Sequence, residues 1–162
     1  MNELVVLVVE DEPEVREAVV RDLEPLAEAV RIEAADDVPD ARAALAEATA
    51  DGDRLALVLA DHRLPGTTGV DFLVELDHEP ATRAAHKVLV TGQADQADTI
   101  RAVNHASLDH YLAKPWDPEE LRAVAVRLLT DFVIDNGLDP LPWVRHLDGP
   151  RLLEAYGARR PD

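Results

Sequence analysis

The sequence predicts a doubly wound α/β fold, in which a parallel sheet carries helices on both faces. Two continuous apolar runs, LVVLVV at residues 4–9 and LALVLA at residues 55–60, are typical of strands that are buried on both faces. Stretches with the helical spacing of apolar residues lie between these runs and three shorter strand candidates. Five strands that alternate with five helices favour such a sheet, whose parallel strands are joined by right-handed crossovers.

The three shorter strand candidates complete the predicted sheet. Residues 30–34 alternate between apolar and polar side chains, which indicates a strand at the edge of the sheet. Residues 87–91 and 108–112 are shorter versions of the buried apolar pattern. The order along the chain is therefore strand, helix, strand, helix throughout.

Helix predictions follow from apolar spacing and from residues that favour helix ends. Asp117 precedes Pro118 and Glu120, which is an acidic capping pattern with proline where its missing N–H carries no penalty. Pro25 is expected to end or kink the first helix early, because a proline inside a helix removes a hydrogen bond. The predicted helices cover residues 13–27, 39–50, 69–78, 95–105 and 118–136.

Composition excludes several classes of protein. The 162 residues are 47% apolar and 30% charged, which suits one folded domain and not a disordered chain. Sixteen basic and 33 acidic residues give a net charge of -17, so direct binding to nucleic acid is not expected. Cysteine is absent, which excludes disulfides and thiolate chemistry. Neither a signal peptide nor a membrane-spanning window is present, so we expect a cytoplasmic protein without a membrane partner.

Acidic residues follow the predicted strands, at the sheet edge where open α/β folds bind ligands. Glu10 and Asp11 follow the first strand, and Asp61 follows the third. If those strands are neighbours, the three carboxylates converge, and two of them about 5 Å apart would repel by about 3 kcal/mol. A cation between them would relieve this repulsion, and oxygen-only ligands favour Mg²⁺. The fourth strand ends in Thr91, and the fifth leads to Lys114.

Four motifs carry a resemblance to a known family: VVEDEPEVRE, LVLADHRLPGTTGVDFL, KVLVTGQAD and DHYLAKPWD. In this order and spacing they resemble response regulator receiver domains, the CheY-like phosphoacceptor modules of two-component signalling. The resemblance covers about residues 3–130 and implies a flavodoxin-like sheet of five parallel strands in the order 2-1-3-4-5. We therefore expect a receiver domain over residues 1–130 and a C-terminal extension of short helical segments over residues 131–162.

The resemblance implies a phosphoacceptor and a metal site. Asp61 matches the nucleophile that becomes an aspartyl phosphate. Glu10 and Asp11 match the acidic pair that holds Mg²⁺ together with Asp61 and the backbone carbonyl of Arg63. Glu10 departs from the family pattern, in which aspartate is the most frequent residue at this position. Its extra methylene is expected to alter the geometry or affinity of the metal site.

The resemblance also implies roles around the phosphoryl group. Thr91 matches the hydroxyl residue that hydrogen-bonds the phosphoryl group, and Tyr111 matches the aromatic switch residue. Lys114 matches the phosphate-binding lysine, and its bond to the following proline is expected to be cis. Arg63 and Gln93 stand at the two positions that tune the lifetime of the phosphoryl group in the family.

The function implied is that of a signalling module and not of a turnover enzyme. A sensor histidine kinase or phosphotransfer protein would donate the phosphoryl group in a Mg²⁺-dependent reaction. The product would then switch a protein-interaction surface on the fourth helix, fifth strand and fifth helix. A non-phosphorylated pseudo-receiver acting as a protein–protein scaffold is the alternative. A haloacid dehalogenase type of phosphatase is disfavoured, because Arg63 stands where its second aspartate is required.

The segment after residue 130 has its own composition. Pro140, Pro142 and Pro150 interrupt its apolar residues, and it contains no basic helix-turn-helix pattern, so it is not expected to bind DNA. It is too short to bury its apolar side chains alone, and must pack on the main domain or on another chain. We expect a homodimer through the last helix and this segment. Whether the chain is a stand-alone regulator or the receiver part of a longer protein stays open.

Overall fold

A five-stranded parallel sheet with the strand order β2-β1-β3-β4-β5 lies at the centre of the molecule. The structure is a computed structural model, and it describes residues 2–92 and 96–159. The fold is the flavodoxin-like fold that the resemblance implied, with helices on both sides of the sheet. The strands are β1 (Leu4–Val9), β2 (Arg31–Ala35), β3 (Arg54–Ala60), β4 (His86–Thr91) and β5 (His110–Ala113).

Six α-helices and two single turns of 3₁₀ helix surround the sheet in the part of the chain that the structure describes. The α-helices are α1 (Pro13–Leu23), α2 (Val38–Ala50), α3 (Gly69–His78), α4 (Gln96–His105), α5 (Pro118–Asp135) and α6 (Gly149–Arg159). The 3₁₀ turns are Glu24–Leu26 and Leu141–Trp143. None of the helices described is both long enough and apolar enough to cross a membrane.

Two apolar cores lie on opposite faces of the sheet. Alternate residues of β1, such as Val6 and Val8, pack with residues of α1 and α5, whereas Val5 and Leu7 pack with residues of α2 and α3. Every residue of β1 is buried, because a central strand of a doubly wound sheet is covered on both sides. This two-sided burial is the physical reason for the continuous apolar runs in the sequence.

Several predicted boundaries differ from the observed ones by one to four residues. The fifth strand begins at His110 and not at residue 108, because Leu108 still donates its N–H to the carbonyl of Ala102 and Ser107 has a φ of 54°. The edge strand β2 lies one residue later than predicted. The prediction that Pro25 ends the first helix early is confirmed, and α1 does not extend to residue 27.

Side-chain caps determine where several helices begin. Asp37 accepts a hydrogen bond from the N–H of Asp40 at 2.8 Å, so α2 begins at Val38, one residue before the prediction. Asp117 caps α5 by accepting from the N–H of Glu119 at 3.0 Å. The predicted first residue of the fourth helix, Asp95, lies outside the described residues.

The segment after α5 packs back on the domain. Trp143, Leu147 and Leu152 are buried in the core that also contains α1 and α5. The indole Nε1 of Trp143 donates a hydrogen bond to the carbonyl of Ala29 at 3.2 Å. Of the two possibilities that the sequence left open, the structure therefore shows packing on the main domain. The outer side chains Leu141, Leu153 and Tyr156 are exposed.

Candidate functional site

Three carboxylates meet at the carboxyl edge of the sheet. Glu10 and Asp61 directly follow β1 and β3, and their N–H groups extend the strand ladders by bonding to the carbonyls of Ala35 and Val9, each at 3.0 Å. One ligand oxygen each from Glu10, Asp11 and Asp61 lies within 4.8 Å of the others. Neighbouring parallel strands therefore bring together the acids that the sequence placed at the ends of two separate runs.

Burial differs strongly among these carboxylates. Glu10 is 3% exposed and Asp61 is 5% exposed, whereas Asp11 faces solvent. The acidic cluster thus has a buried side and an open side. A small ligand can reach Asp61 from the side of Asp11, while the apolar core closes the other side.

Lys114 supplies the positive charge of the site. Its Nζ donates to Oε2 of Glu10 at 2.7 Å and to Oδ2 of Asp61 at 3.1 Å. The residue follows β5, and its own N–H bonds to the carbonyl of Thr91 at 3.3 Å. The Lys114–Pro115 bond is cis, as the resemblance implied. Lys114 thus pairs with two of the three carboxylates.

Burial and ion pairing act together on the protonation of this cluster. Burial raises the pKa of Glu10 above its ordinary value, and the hydrogen bond from Lys114 offsets only part of that effect. Burial alone would lower the pKa of Lys114, but the hydrogen bonds to Glu10 and Asp61 outweigh it, so the pKa of the ammonium is raised. Lys114 is therefore a stable cation at neutral pH.

The predicted phosphoryl-binding residues surround the same cavity. Thr91 is buried at the end of β4 and lines the cavity together with Asp11, Asp61 and Lys114. Tyr111 lies on the surface of β5 with 37% exposure, and its hydroxyl donates to the backbone carbonyl of Thr91 at 3.3 Å. The two residues assigned to the switch are therefore adjacent.

Of the two residues that the resemblance assigns to phosphoryl lifetime, Arg63 and Gln93, the structure describes only Arg63. The N–H of Arg63 donates to Oδ1 of Asp61 at 3.3 Å, and Arg63 lines the cavity. Gln93 lies outside the described residues. Each oxygen of Asp61 thus accepts one hydrogen bond, from Arg63 and from Lys114.

Gly69 contributes to the site and was missed by the sequence analysis. Its N–H bonds to the carbonyl of His62 at 3.0 Å, and a Cβ atom at this position would lie 1.8 Å from the backbone oxygen of Asp61. Glycine is therefore required for α3 to begin directly against the strand end that carries Asp61. The signal was a glycine at the first predicted helical residue, directly after Thr68, which caps the helix.

Glu10, Asp11 and Asp61 form an acidic rim at the carboxyl edge of the sheet, and their oxygen atoms fit a hard divalent cation. All three side chains offer carboxylate oxygens, which Mg²⁺ prefers, and one of the three residues is open to water. Mg²⁺ usually keeps several waters and takes only one or two protein carboxylates, which a half-open rim allows. The residues present therefore fit the metal that receiver domains bind at an acidic pocket.

Comparison with known proteins agrees with the fold. Residues 6–126 match the family described as the response regulator receiver domain. The phosphate regulon transcriptional regulatory protein PhoB of Escherichia coli K12 is 35% identical over 118 residues, which cover 73% of this chain and 48% of that protein. The hydrogenase transcriptional regulatory protein HoxA of Cupriavidus necator is 34% identical over 116 residues, which cover 72% of this chain and 22% of that protein.

Solved structures show the same fold. The receiver domain of an HD domain-containing protein from Pseudomonas fluorescens Pf-5 superposes with a TM-score of 0.67 and 23% identity, covering 81% of this chain and 98% of that one. A CheY-like receiver domain from Methanospirillum hungatei JF-1 gives a TM-score of 0.68 and 23% identity, covering 81% of this chain and 97% of that one.

The chain matches less than half of the length of the two regulators, so their activities as whole proteins do not transfer to it. The family match, residues 6–126, contains most of β1, all of β2 to β5 and the residues Glu10, Asp11 and Asp61. This chain belongs to the response regulator receiver domain family.

Proposed function

We propose that this chain is a phosphoacceptor receiver in which Asp61 accepts a phosphoryl group from a histidine of a sensor kinase or phosphotransfer protein. The observation that carries the proposal is the pairing of a 5% exposed Asp61 carboxylate with the Lys114 ammonium at 3.1 Å, beside two further carboxylates. A buried carboxylate with one charged partner and one open side suits a nucleophile that a phosphoryl donor must reach.

The transfer step uses groups that this chain provides. An oxygen of Asp61 forms a bond to phosphorus while the bond from phosphorus to the donor's imidazole nitrogen breaks, and the released imidazole takes up a proton from solvent. Lys114 stays beside Asp61 and pairs with the oxygens of the transferred group, as a compact cation does with phosphate. Positioning and charge neutralisation account for most of the catalysis of phosphoryl transfer.

Glu10, Asp11 and Asp61 are the side chains that would hold Mg²⁺, with the backbone carbonyl of Arg63 as a further ligand. When bound, the metal supplies positive charge to the phosphoryl oxygens. The chain alone places four carboxylates around this cavity, those of Glu10, Asp11, Glu12 and Asp61. Lys114 and Arg63 are the two cations against them, so an incoming phosphoryl group would otherwise meet net negative charge. This imbalance is the physical reason to expect that transfer depends on the metal.

The signal is proposed to leave through α4, β5 and α5. Thr91 would hydrogen-bond the new phosphoryl oxygens, and Tyr111, whose hydroxyl bonds to the carbonyl of Thr91, would follow it inward. Ile100 and Val103 on α4 are half exposed, so an apolar partner surface lies close to this switch. Arg63 and Gln93 are proposed to tune the lifetime of the phosphoryl group.

The remaining assignments are also proposals. We divide the chain into a receiver domain, residues 1–130, and an extension, residues 131–162. A homodimer through the last helix of the receiver and the extension fits the exposed Leu153 and Tyr156. Because of the net charge of -17, we do not expect the chain itself to bind nucleic acid. The pseudo-receiver scaffold is the second candidate, and the following experiment separates the two.

Phosphorylation by acetyl phosphate tests the proposal directly. The wild-type chain is incubated with acetyl phosphate and Mg²⁺, and its mass is then measured by intact-protein mass spectrometry. We expect one base-labile and hydroxylamine-labile phosphoryl group per chain, none in Asp61→Asn, and none in wild type after chelation of the metal. Asp40→Asn, which alters an exposed aspartate at the start of α2, serves as the matched control and should be modified as wild type is. An unmodified wild type, or an equally modified Asp61→Asn, would favour the scaffold.

A further inference from the structure

Both carboxylate oxygens of Glu10 are engaged by donors of this chain. Oε2 accepts from Nζ of Lys114 at 2.7 Å, and Oε1 accepts from the N–H of Glu12 at 3.2 Å. The side chain is 3% exposed, so water cannot replace these partners. Each oxygen of Glu10 therefore already accepts a hydrogen bond from this chain.

Lys114 is also held more closely by Glu10 than by the proposed nucleophile. Its distance to Oε2 of Glu10 is 2.7 Å, against 3.1 Å to Oδ2 of Asp61. A charge-assisted hydrogen bond of the shorter length, between two largely buried groups, is among the stronger side-chain contacts. A cation that takes Glu10 as a ligand draws on the same negative charge and repels the ammonium, so it weakens this contact.

We propose that Lys114 and a divalent cation compete for Glu10, and that the length of the glutamate side chain thereby lowers the Mg²⁺ affinity of this chain. The inference rests on the proposed function and adds a residue that determines metal affinity. In the metal-free state, the Glu10 carboxylate binds the Lys114 ammonium by a hydrogen bond. Lys114 leaves Glu10 when the cation binds, keeps its contact with Asp61, and has donors released for the phosphoryl oxygens.

The extra methylene of glutamate is what makes the contact possible. Replacement of Glu10 by aspartate withdraws the carboxylate by about one carbon–carbon bond, about 1.5 Å. The 2.7 Å contact with Lys114 would then exceed hydrogen-bond distance, while the carboxylate and its charge stay at the rim. The substitution therefore removes the competitor of the metal without removing a negative charge.

Calorimetric titration with MgCl₂, without any phosphoryl donor, tests the competition. The variants are Glu10→Asp, Lys114→Gln and the double variant, each compared with the wild-type chain. We expect Glu10→Asp to bind Mg²⁺ about tenfold more tightly, which corresponds to the loss of one competing charge-assisted hydrogen bond. In the Lys114→Gln background the same shortening should change the affinity by less than about twofold, because the competitor is already absent.

Glu47→Asp provides the matched control, since it shortens an exposed glutamate in the last turn of α2, at the end that leads into the start of β3, and should leave the affinity unchanged. Far-ultraviolet circular dichroism confirms that each variant is folded. If Glu10→Asp binds as wild type does or more weakly, or tightens equally with and without Lys114, the competition is excluded. In that case phosphorylation of wild type by acetyl phosphate still supports the proposed function. If wild type neither binds Mg²⁺ nor accepts a phosphoryl group, both proposals fail.

Discussion

At the scale of single residues, Lys114 supplies the positive charge that the carboxylates of the acidic rim need. Two neighbouring carboxylates, Glu10 and Asp61, are almost fully buried, and their mutual repulsion raises the pKa of Glu10 in addition to the effect of burial. The ammonium of Lys114 bonds to both of them. A buried charge without a partner is strongly unfavourable, so the rim depends on this one side chain whenever the metal is absent.

Glu10 should make the stability of the metal-free protein depend on pH. Because burial raises its pKa above the ordinary value of 4.5, the folded chain binds the proton more tightly than the unfolded chain does. The resulting contribution to stability is fully present below pH 4.5 and is lost as the pH rises through the raised pKa. Urea unfolding at a series of pH values should therefore show a decline that Glu10→Gln lacks. Parallel curves for the two proteins would contradict this account.

The identities of the site residues were predictable, but their contacts were not. Strand ends and motif spacing placed Glu10, Asp61 and Lys114 at one edge, because parallel strands end on the same side of the sheet. The closer approach of Lys114 to Glu10 than to Asp61 depends on a difference of a few tenths of an ångström in side-chain reach. No pattern of residue types contains that information.

At the scale of elements, α3 holds the strand end that carries Asp61. The first residue of this helix, Gly69, lies so close to the backbone oxygen of Asp61 that an added Cβ would be at 1.8 Å. The oxygen belongs to the backbone, and the backbone fixes the position of a Cβ, so neither atom can move away by a change of rotamer. The start of α3 and the position of Asp61 are thus coupled.

Gly69→Ala should therefore destabilise the fold and displace Asp61. We expect a loss of at least about 2 kcal/mol in the free energy of unfolding, as for overpacked cores, with a weaker response to acetyl phosphate. Gly157→Ala in α6 is the matched control, because an added Cβ there meets nothing within 4 Å and alanine favours helix by up to about 1 kcal/mol. Urea denaturation of both variants measures the difference. A Gly69→Ala protein as stable as wild type would show that α3 can shift without cost.

Element types were more predictable than element ends. The apolar runs of β1 and β3 were identified because two-sided burial excludes polar residues from them. The start of β5 was misplaced because the turn after α4 continues as far as Leu108, whose N–H bonds back to the carbonyl of Ala102 at 3.3 Å. Ser107 in this turn has a φ of 54°, a conformation that its residue type does not indicate.

At the scale of the whole molecule, the C-terminal extension is part of the core. Trp143 fills the space beside α1 and α5, and its indole satisfies the carbonyl of Ala29 at 3.2 Å. The sequence predicted that this segment must pack somewhere, since it is too short for its own core. The sequence did not show which surface the extension packs on, because a contact within the chain and a contact with another chain would bury the same side chains.

Trp143→Ala should cost about 3 kcal/mol in the free energy of unfolding, in the range for removal of a buried aromatic side chain. Leu141→Ala, two residues earlier and 67% exposed, should change stability by less than about 0.5 kcal/mol. Guanidinium unfolding of the full chain gives both values. Equal effects of the two substitutions would indicate that the extension does not depend on Trp143 for its packing on the domain.

We propose that Asp61 receives a phosphoryl group at the acidic rim, with Lys114 and a bound Mg²⁺ beside it. A crystal structure of the chain grown with Mg²⁺ and beryllofluoride tests this most directly. We predict a beryllofluoride group attached to Asp61, a cation between Asp11 and Asp61, and Lys114 in contact with a fluorine and no longer with Glu10. If crystals grown with saturating Mg²⁺ and beryllofluoride contain neither ion, and Lys114 still bridges Glu10 and Asp61, then Asp61 is not the phosphoacceptor.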